Sequence, residues 1–511
     1  MRSRIAIFLL IFLFSPFTVG DFFREHLKKY IDWTTSPCEN FYRHVCPKNM
    51  TYNETVMGKS EAILQKLNEN VSHLLGDYDI IWYDFLTYAN VSSNFNKTLY
   101  VKKLLENCNN EYECVFSKFR PIYTACELTV NRLDLYYNLT QFSRNVTELA
   151  NVAGQLLENI DKRPVDEFID MYTKLRSRML IIDKLEVYYK SQEAKEDLNK
   201  IIYHLKSVIL RILKATPWLN RLEDFGVEKW KTLEFYLNKM NIYFGMDEQE
   251  RNKTMWIRAT RQYNVEYFRL VSDSRPLRNS LDLKLLHRLV ENKLRKELGE
   301  VNESRLETSE EYNALNLFDS VYIALSIVIA SRNITTASKY ASLGYTLSHE
   351  MYHTFIETGN DYVDEIFTNQ TDCVMSHFKD YCDLFREQTY CESGELTLVE
   401  DGPDLEGVKA AYQAFVEAIG EDDLYANPYE DLDMTNDELF YYSLAADTCT
   451  DFQQSQHEEE NEHSAAYVRV NAMLSQLPRF AETFGCVQSD PMFVAPEEQC
   501  HIFGRKAEQY R

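Results

Sequence analysis

The chain has 511 residues, 45% of them hydrophobic and 13% aromatic, which excludes wholesale disorder and exceeds what one small core can hold. Its formal net charge of −24 argues against nucleic acid or an anionic membrane surface as a partner. A solvated acidic surface accounts for that charge, and a cationic peptide substrate would also suit it.

The first stretch reads as a targeting segment. Arg2 and Arg4 precede the apolar run Ile5 to Phe14, and Thr18-Val19-Gly20 is a small-residue cleavage site. The run is too short to span a bilayer, so residues 1–20 are expected to be a signal peptide and the product to be secreted, with no membrane span after cleavage. Two counts agree with export. The chain has 11 cysteines, and 11 N-x-Ser/Thr sequons at Asn49, Asn53, Asn70, Asn90, Asn96, Asn138, Asn145, Asn252, Asn302, Asn333 and Asn369.

Cys38 and Cys46 flank a short aromatic stretch and have no metal-type partner nearby. They look like anchors for distant disulfides. From residue 60 the pattern is helical, as in Leu64, Leu67, Val71, Leu74 and Leu75. Asp197 to Lys214 carries a broad apolar stripe through Leu198, Ile201, Leu205, Val208 and Ile212. Met179 to Tyr189 is readable as a strand. Near residue 308 the texture changes: Tyr312 to Leu317 leads into Val321 to Ile329, an extended segment or an apolar helix.

Next comes Leu347-Ser348-His349-Glu350-Met351-Tyr352-His353, an H-E-x-x-H sequence. On a helix, positions i and i+4 share a face, so His349 and His353 can hold one metal ion while Glu350 reaches a water on it. Leu343, Leu347 and Phe355 mark the buried side, and Gly359 is placed to end the helix. Gly394 to Asp404 then runs into a helical pattern from Gly407 to Ile419. Glu400 and Asp404 lie one turn apart. Read alone they would be a solvated helix face, as His457 and Glu458 to Glu460 would be a surface loop.

Five segments in this order resemble the neprilysin and endothelin-converting enzyme family of zinc endopeptidases. They are Ser36-Pro37-Cys38-Glu39-Asn40-Phe41-Tyr42, Asn313-Ala314, His349-Glu350-x-x-His353, Gly394-Glu395-Leu396-Thr397-Leu398-x-Glu400-x-x-x-Asp404, and His463-Ser464 with Arg469-Val470-Asn471; the late Cys486 and Cys500 fit too. The resemblance is dense from 308 to 503 and at 34 to 46. It implies one zinc per chain, held by His349, His353 and Glu400 with one position left open. Glu350 is then the general base and Asp404 fixes a ligand imidazole. His463 would stabilise the oxyanion, Arg469 would hold a substrate carbonyl, and Asn313 with Ala314 would align the peptide. The resemblance also implies the disulfides Cys38–Cys486, Cys46–Cys449 and Cys382–Cys500. Cys108, Cys114, Cys126, Cys373 and Cys391 remain, with Cys373–Cys391 or a Cys108 bridge as local possibilities.

The chain departs from the family pattern at several points. Thr354 follows the second His where the family has glycine, and Leu315 and Asn316 replace two aromatic residues after Asn-Ala. Gly402-Pro403 interrupts the Glu-x-x-x-Asp segment, and the distance from Cys46 to His349 is short. A proline is tolerated in a first helical turn, so a helix starting near Val399 would keep Glu400 aimed. The expected fold is mainly α with a small β-sheet: a thermolysin-like zinc lobe and a reduced helical lid. The expected limits are an N-terminal segment at 21–60 packing on the zinc lobe, a lid at 61–289 and the zinc lobe at 290–511. A thinner lid would admit longer polypeptides. The expected function is a secreted zinc endopeptidase acting on small peptides. The alternative is a catalytically silent relative that binds peptides or protein partners; a structural zinc protein would leave Glu350 without a purpose.

Overall fold

The structure, a computed structural model, describes residues 21–63, 106, 192–222, 226–244, 313–362, 364–385, 394, 396–450 and 462–505. The chain divides into two compact units. The first comprises Met1–Gln65, Tyr188–Asp247 and Glu307–Arg511; the second comprises Lys66–Val187 and Glu248–Leu306. The expectations for the leader, the lid helices, the strand at 179–189, His457 with its acidic run, and Cys108, Cys114, Cys126 and Cys391 lie outside the described residues.

The first unit is mainly helical with a small sheet. Helix α1 (Phe22–Tyr30) is capped by Asp21, and α2 (Phe41–Val45) by Asn40, whose side chain accepts from the Arg43 amide. Asn471 joins α2 to the distant end of the chain: its Oδ1 accepts from the Tyr42 amide at 2.9 Å and its Nδ2 donates to Asn40 at 3.0 Å. Disulfides Cys38–Cys486 and Cys46–Cys449 close loops of 448 and 403 residues at the same place. Such long loops remove much freedom from the unfolded chain.

Helix α3 (Gln192–Ala215) buries the expected stripe, with Leu205, Val208 and Ile209 inaccessible to solvent. It does so inside the first unit, so residues 188–247, expected in the lid, group with the zinc-type helices instead. The reason is visible in the contacts. The Trp218 indole donates to the Ile502 carbonyl at 2.8 Å, and Arg221 meets Asp364 at 2.8 Å. Helix α4 (Lys229–Lys239) leads into strand β1 (Asn241–Phe244), which pairs in parallel with β3 (Ser320–Ile323). Strand β2 (Ala314–Asn316) pairs antiparallel on the other side of β3, giving the order β1-β3-β2. The ambiguous run after residue 320 is both things in turn: a buried strand, then helix α5 (Leu325–Ala330).

The zinc-type segment is helix α7 (Tyr345–Asp361), preceded by α6 (Thr336–Lys339) and a π turn at Tyr340–Gly344. Gly359 does not end α7. A Cβ there would lie 2.4 Å from the Phe367 ring, so the glycine serves the close approach of helix α8 (Glu365–Leu384). Helices α9 (Leu398–Ile419), α10 (Asn436–Thr448), α11 (Ala466–Ser475) and α12 (Pro478–Phe484) complete the core, where Phe415, Phe440, Tyr441 and Phe480 are fully buried.

The expected Cys382–Cys500 bridge, and the local Cys373–Cys391 option, give way to Cys373–Cys500. Cys373 and Cys382 are nine residues apart on α8, about 13 Å along its axis, so only one can reach Cys500. The His501 amide donates to Gln370 Oε1 at 2.9 Å, which sets Cys500 beside the turn that carries Cys373. Cys382 is itself disulfide-bonded, to a different partner.

Candidate active site

Helix α7 turns His349 and His353 to one side, with their Nε2 atoms 3.1 Å apart. The opposite side is core: Leu347, Met351, Tyr352 and Phe355 are inaccessible. Helix α9 supplies the third group. Glu400 Oε2 lies 3.2 Å from His349 Nε2 and 3.4 Å from His353 Nε2.

Two glycines let α9 lie this close. A Cβ at Gly407 would stand 2.8 Å from the His349 backbone nitrogen, and one at Gly402 would stand 2.8 Å from Ile356 Cδ1. The Ser348 hydroxyl seals the crossing by donating to the Gly407 carbonyl at 2.8 Å. The helix begins at Leu398 and runs through Pro403, yet Glu400 stays aimed. The bond that proline removes would have gone to the carbonyl of Val399, a residue that is 44% exposed.

Asp404, one turn beyond Glu400, is fully buried and heavily partnered. His349 Nδ1 lies 2.8 Å from its Oδ1, the Tyr345 hydroxyl donates to it at 2.6 Å, and Arg469 donates two bonds at 2.6 Å each. A carboxylate at Nδ1 assigns the proton to that nitrogen and leaves the Nε2 lone pair facing the Glu400 cluster. Burial works against the Asp404 charge, but the Arg469 guanidinium outweighs it and holds the carboxyl well below the usual range. Arg469, expected to grip a substrate carbonyl, thus uses its planar fork on Asp404.

Glu350 is buried beside the same imidazoles, and burial raises its carboxyl pKa. Burial also disfavours a charged His349, yet the adjoining Asp404 and Glu400 carboxylates prevail and lift its pKa to about 10, so a metal at Nε2 would have to displace that proton. His463 brings Nε2 to 3.1 Å from Glu400 Oε2 and keeps its side chain 44% exposed. The loop carrying it is fixed through Ser464, whose hydroxyl donates to the fully buried Asp401 at 3.0 Å; Thr397 donates to the same oxygen at 2.7 Å. Ala314 begins strand β2, and Asn313 lies immediately before it. The Asn313 side chain accepts from the Ala314 amide at 2.9 Å, and its carbonyl accepts from the Ala324 amide. The contact between β2 and α7 is made further along the strand, by Asn316.

His349, His353 and Glu400 fit a metal. Their ligand atoms lie within 4.8 Å of one another. Glu400 Oε2 is buried and has no aligned hydrogen-bond donor, although three imidazole nitrogens surround it. Two neutral nitrogens and one carboxylate oxygen turned to a common point are a zinc donor set. Sequence reasoning did not find Tyr345, Asp401, Gly407 or the Asn316 contact. Tyr345 carries a signal, since it stands one helical turn before His349; the other three depend on which segments meet.

Residues 328–501 match the family described as Peptidase family M13. Membrane metallo-endopeptidase-like 1 of Homo sapiens is 27% identical over 190 residues, which is 34% of this chain and 24% of that protein. Neprilysin-3 of Drosophila melanogaster is 27% identical over 180 residues, covering 32% and 22%. Endothelin-converting enzyme 1 of Homo sapiens is 27% identical over 189 residues, covering 34% and 24%. The matched region therefore spans about a quarter of these relatives. Among solved structures, a Haemonchus galactose-containing glycoprotein complex shares the fold, with a TM-score of 0.56 at 16% identity over 94% of this chain and 99% of that one.

Proposed function

The chain belongs to the neprilysin family, peptidase family M13, through residues 328–501, and from that premise we propose that it is a secreted zinc endopeptidase that hydrolyses small peptides. One observation carries the reading: two helices turn His349, His353 and Glu400 to a single point, with the buried carboxyl of Glu350 on the same turn.

When bound, zinc supplies a Lewis acid that acidifies a water and polarises the scissile carbonyl. Glu350 removes the proton from the attacking water and returns it to the leaving amine; the raised pKa of its buried carboxyl suits both transfers. His463 would donate to the oxyanion as it develops, a role supported by its position beside Glu400 with its side chain reaching solvent. Asp404 and Arg469 act behind the ligands by holding the His349 ring. Ala314 on the edge strand β2, with Asn313 just before it, would align the peptide main chain. Three further observations support export: the disulfides, the exposed sequon residues Asn49, Asn53, Asn333 and Asn369, and the absence of a membrane-crossing helix among the described residues.

The test pairs metal analysis with peptide turnover. The protein should bind one zinc and cleave short peptides near neutral pH, and a chelator should abolish cleavage. Glu350→Gln should keep the zinc and lose about 10²- to 10⁴-fold in turnover. Zinc binding with no turnover by the wild type would instead favour the catalytically silent peptide binder.

A further inference from the structure

Strand β2 is three residues long and stands at the sheet edge, paired on one side with β3 and on the other with no described strand. So short an edge has little of its own to fix its distance from α7. Asn316 provides the connection. Its Nδ2 donates to the Glu350 carbonyl and, at 3.1 Å, to Thr354 Oγ1. Its Oδ1 lies 3.3 Å from the same hydroxyl and accepts from the Phe318 amide at 2.6 Å. Thr354 Oγ1 also donates to the Phe318 carbonyl at 2.9 Å. The turn between β2 and β3 is thereby held with Phe318 at φ 60°, a left-handed conformation that a phenylalanine rarely adopts.

Glu350 and Thr354 are four residues apart, so they share one face of α7, and that face looks at β2. The metal-ligating face is the neighbouring one, through His349 and His353. Asn316 therefore bonds to the backbone of the very residue whose carboxylate moves the proton. Asn316 and Thr354 are also two of the positions at which the chain departs from the family pattern. The two departures are one feature, because their side chains bond to each other.

We infer that Asn316 and Thr354 form a lock that sets where a peptide laid along β2 meets the Glu350 carboxylate, which makes both of them positioning residues; the inference rests on the hydrolase reading above. Loss of the lock lets β2 shift against α7. A misplacement of about 1 Å at a reacting centre lowers rate by about 100-fold, while strand pairing still binds the ground state.

The experiment uses the full zinc-loaded chain. Asn316→Ala and Thr354→Val should each lower kcat by about 10- to 100-fold with KM changed less than about threefold. Thr354→Ser, which keeps the hydroxyl, should restore turnover to within about twofold. The double variant should be no slower than the worse single one, since both remove the same contact. A second readout needs no turnover. A peptidyl hydroxamate must satisfy both the metal and β2, so its affinity should fall with kcat/KM in Asn316→Ala. Acetohydroxamate lacks the peptide and should bind both proteins equally. If the wild type binds the hydroxamate selectively yet cleaves nothing, the hydrolase reading fails and the lock stands. The lock is overturned if the single variants match wild type in turnover and hydroxamate affinity. It is overturned equally if Thr354→Ser loses as much as Thr354→Val, or if the losses follow zinc content and melting temperature.

Discussion

Gly407 offers the sharpest test of how the metal site is held together. An alanine there would put its Cβ 2.8 Å from the His349 nitrogen and 2.9 Å from its Cα. Both are backbone atoms, so no side-chain rotation relieves them. Ordinary contact begins at 3.4 Å, so α7 and α9 must separate by about 0.6 Å. The histidine ligands are on α7 and Glu400 is on α9, so the separation falls across the ligand set. Zinc ligand distances tolerate about 0.2 Å, a third of that opening. Gly407→Ala should therefore weaken zinc binding by about 10- to 100-fold. For stability, alanine in a helix normally gains roughly 0.5–1 kcal/mol, whereas overpacking costs roughly 1–3 kcal/mol. The net expectation is a loss of roughly 1–2 kcal/mol. Thermal melts give the stability and chelator competition gives the zinc affinity. Gly402→Ala is the internal control: its Cβ meets the tip of Ile356, which can swing away, so its effect should be smaller. A Gly407→Ala protein with wild-type zinc affinity and equal or higher melting temperature would refute the close-crossing argument.

Arg469→Lys separates two roles for that residue. If its fork serves Asp404, the variant should lose zinc affinity by about 10-fold or more; a rise in KM with zinc affinity intact would show that it grips substrate. Acid should destabilise the fold through two histidines remote from the ligands. Burial holds His26 and His377, each bonded to a backbone carbonyl, at pKa values of about 4 against 6.5 unfolded. Their folded forms are neutral, so their contribution is complete above pH 6.5 and is lost as pH falls toward 4, by about 3 kcal/mol for each ring. A melting temperature independent of pH across that window, or unaltered in its pH dependence by His26→Gln, would contradict this. Non-reducing peptide mapping should recover Cys373 with Cys500, and a Cys382–Cys500 peptide would overturn that assignment.

What the sequence made legible follows the range of the interactions involved. His349, Glu350 and His353 were readable because four residues of helix fix their geometry. The stripe on α3 was readable for the same reason, but periodicity shows which face is apolar and not which unit it covers, so residues 188–247 were assigned to the other lobe. Glu400, Asp404 and Arg469 lie some 50 to 120 residues from the histidines and entered through resemblance alone. Resemblance supplied Arg469 as a residue but not its buried partner. It likewise supplied Cys500 but with the wrong partner, Cys382 in place of Cys373. Two cysteines on one helix are equivalent in the sequence, and only the docking of Gln370 on His501 selects Cys373. Gly402, with Pro403, reads as an interruption and Gly407 as the start of a helical pattern; their service to a close helix crossing shows only when a second helix lies against them. Pro403 reads as a threat to the aim of Glu400, yet the helix runs through it, and the bond it removes belongs to Val399, an exposed residue.

The charges of α9 point to the same occupant as the ligand geometry. Glu400, Asp401, Asp404 and Glu406 all lie on this helix, and all four are buried. Buried carboxylates are costly unless something compensates them. Glu406 has Lys409 at 3.2 Å and the Ile502 amide at 3.0 Å. Asp404 has Arg469 and the Tyr345 hydroxyl. Asp401 has two hydroxyls and sits where burial and the Asp404 charge push its pKa up to about 8, so it carries a proton near neutral pH. Glu400 has no lysine or arginine partner among the described residues; its Oε2 faces the imidazoles of His349, His353 and His463, and Glu350 is buried beside them. Were those imidazoles to compensate Glu400 by taking protons, their lone pairs would be lost as ligands. A dication would compensate both carboxylates, displacing the proton that they otherwise draw onto His349, and three protein ligands would leave it room for water. With Asp404 and Glu406 paired to cations and Asp401 protonated, Glu400 is the buried acid of this group that a metal at His349 and His353 would compensate, which supports the proposed zinc site.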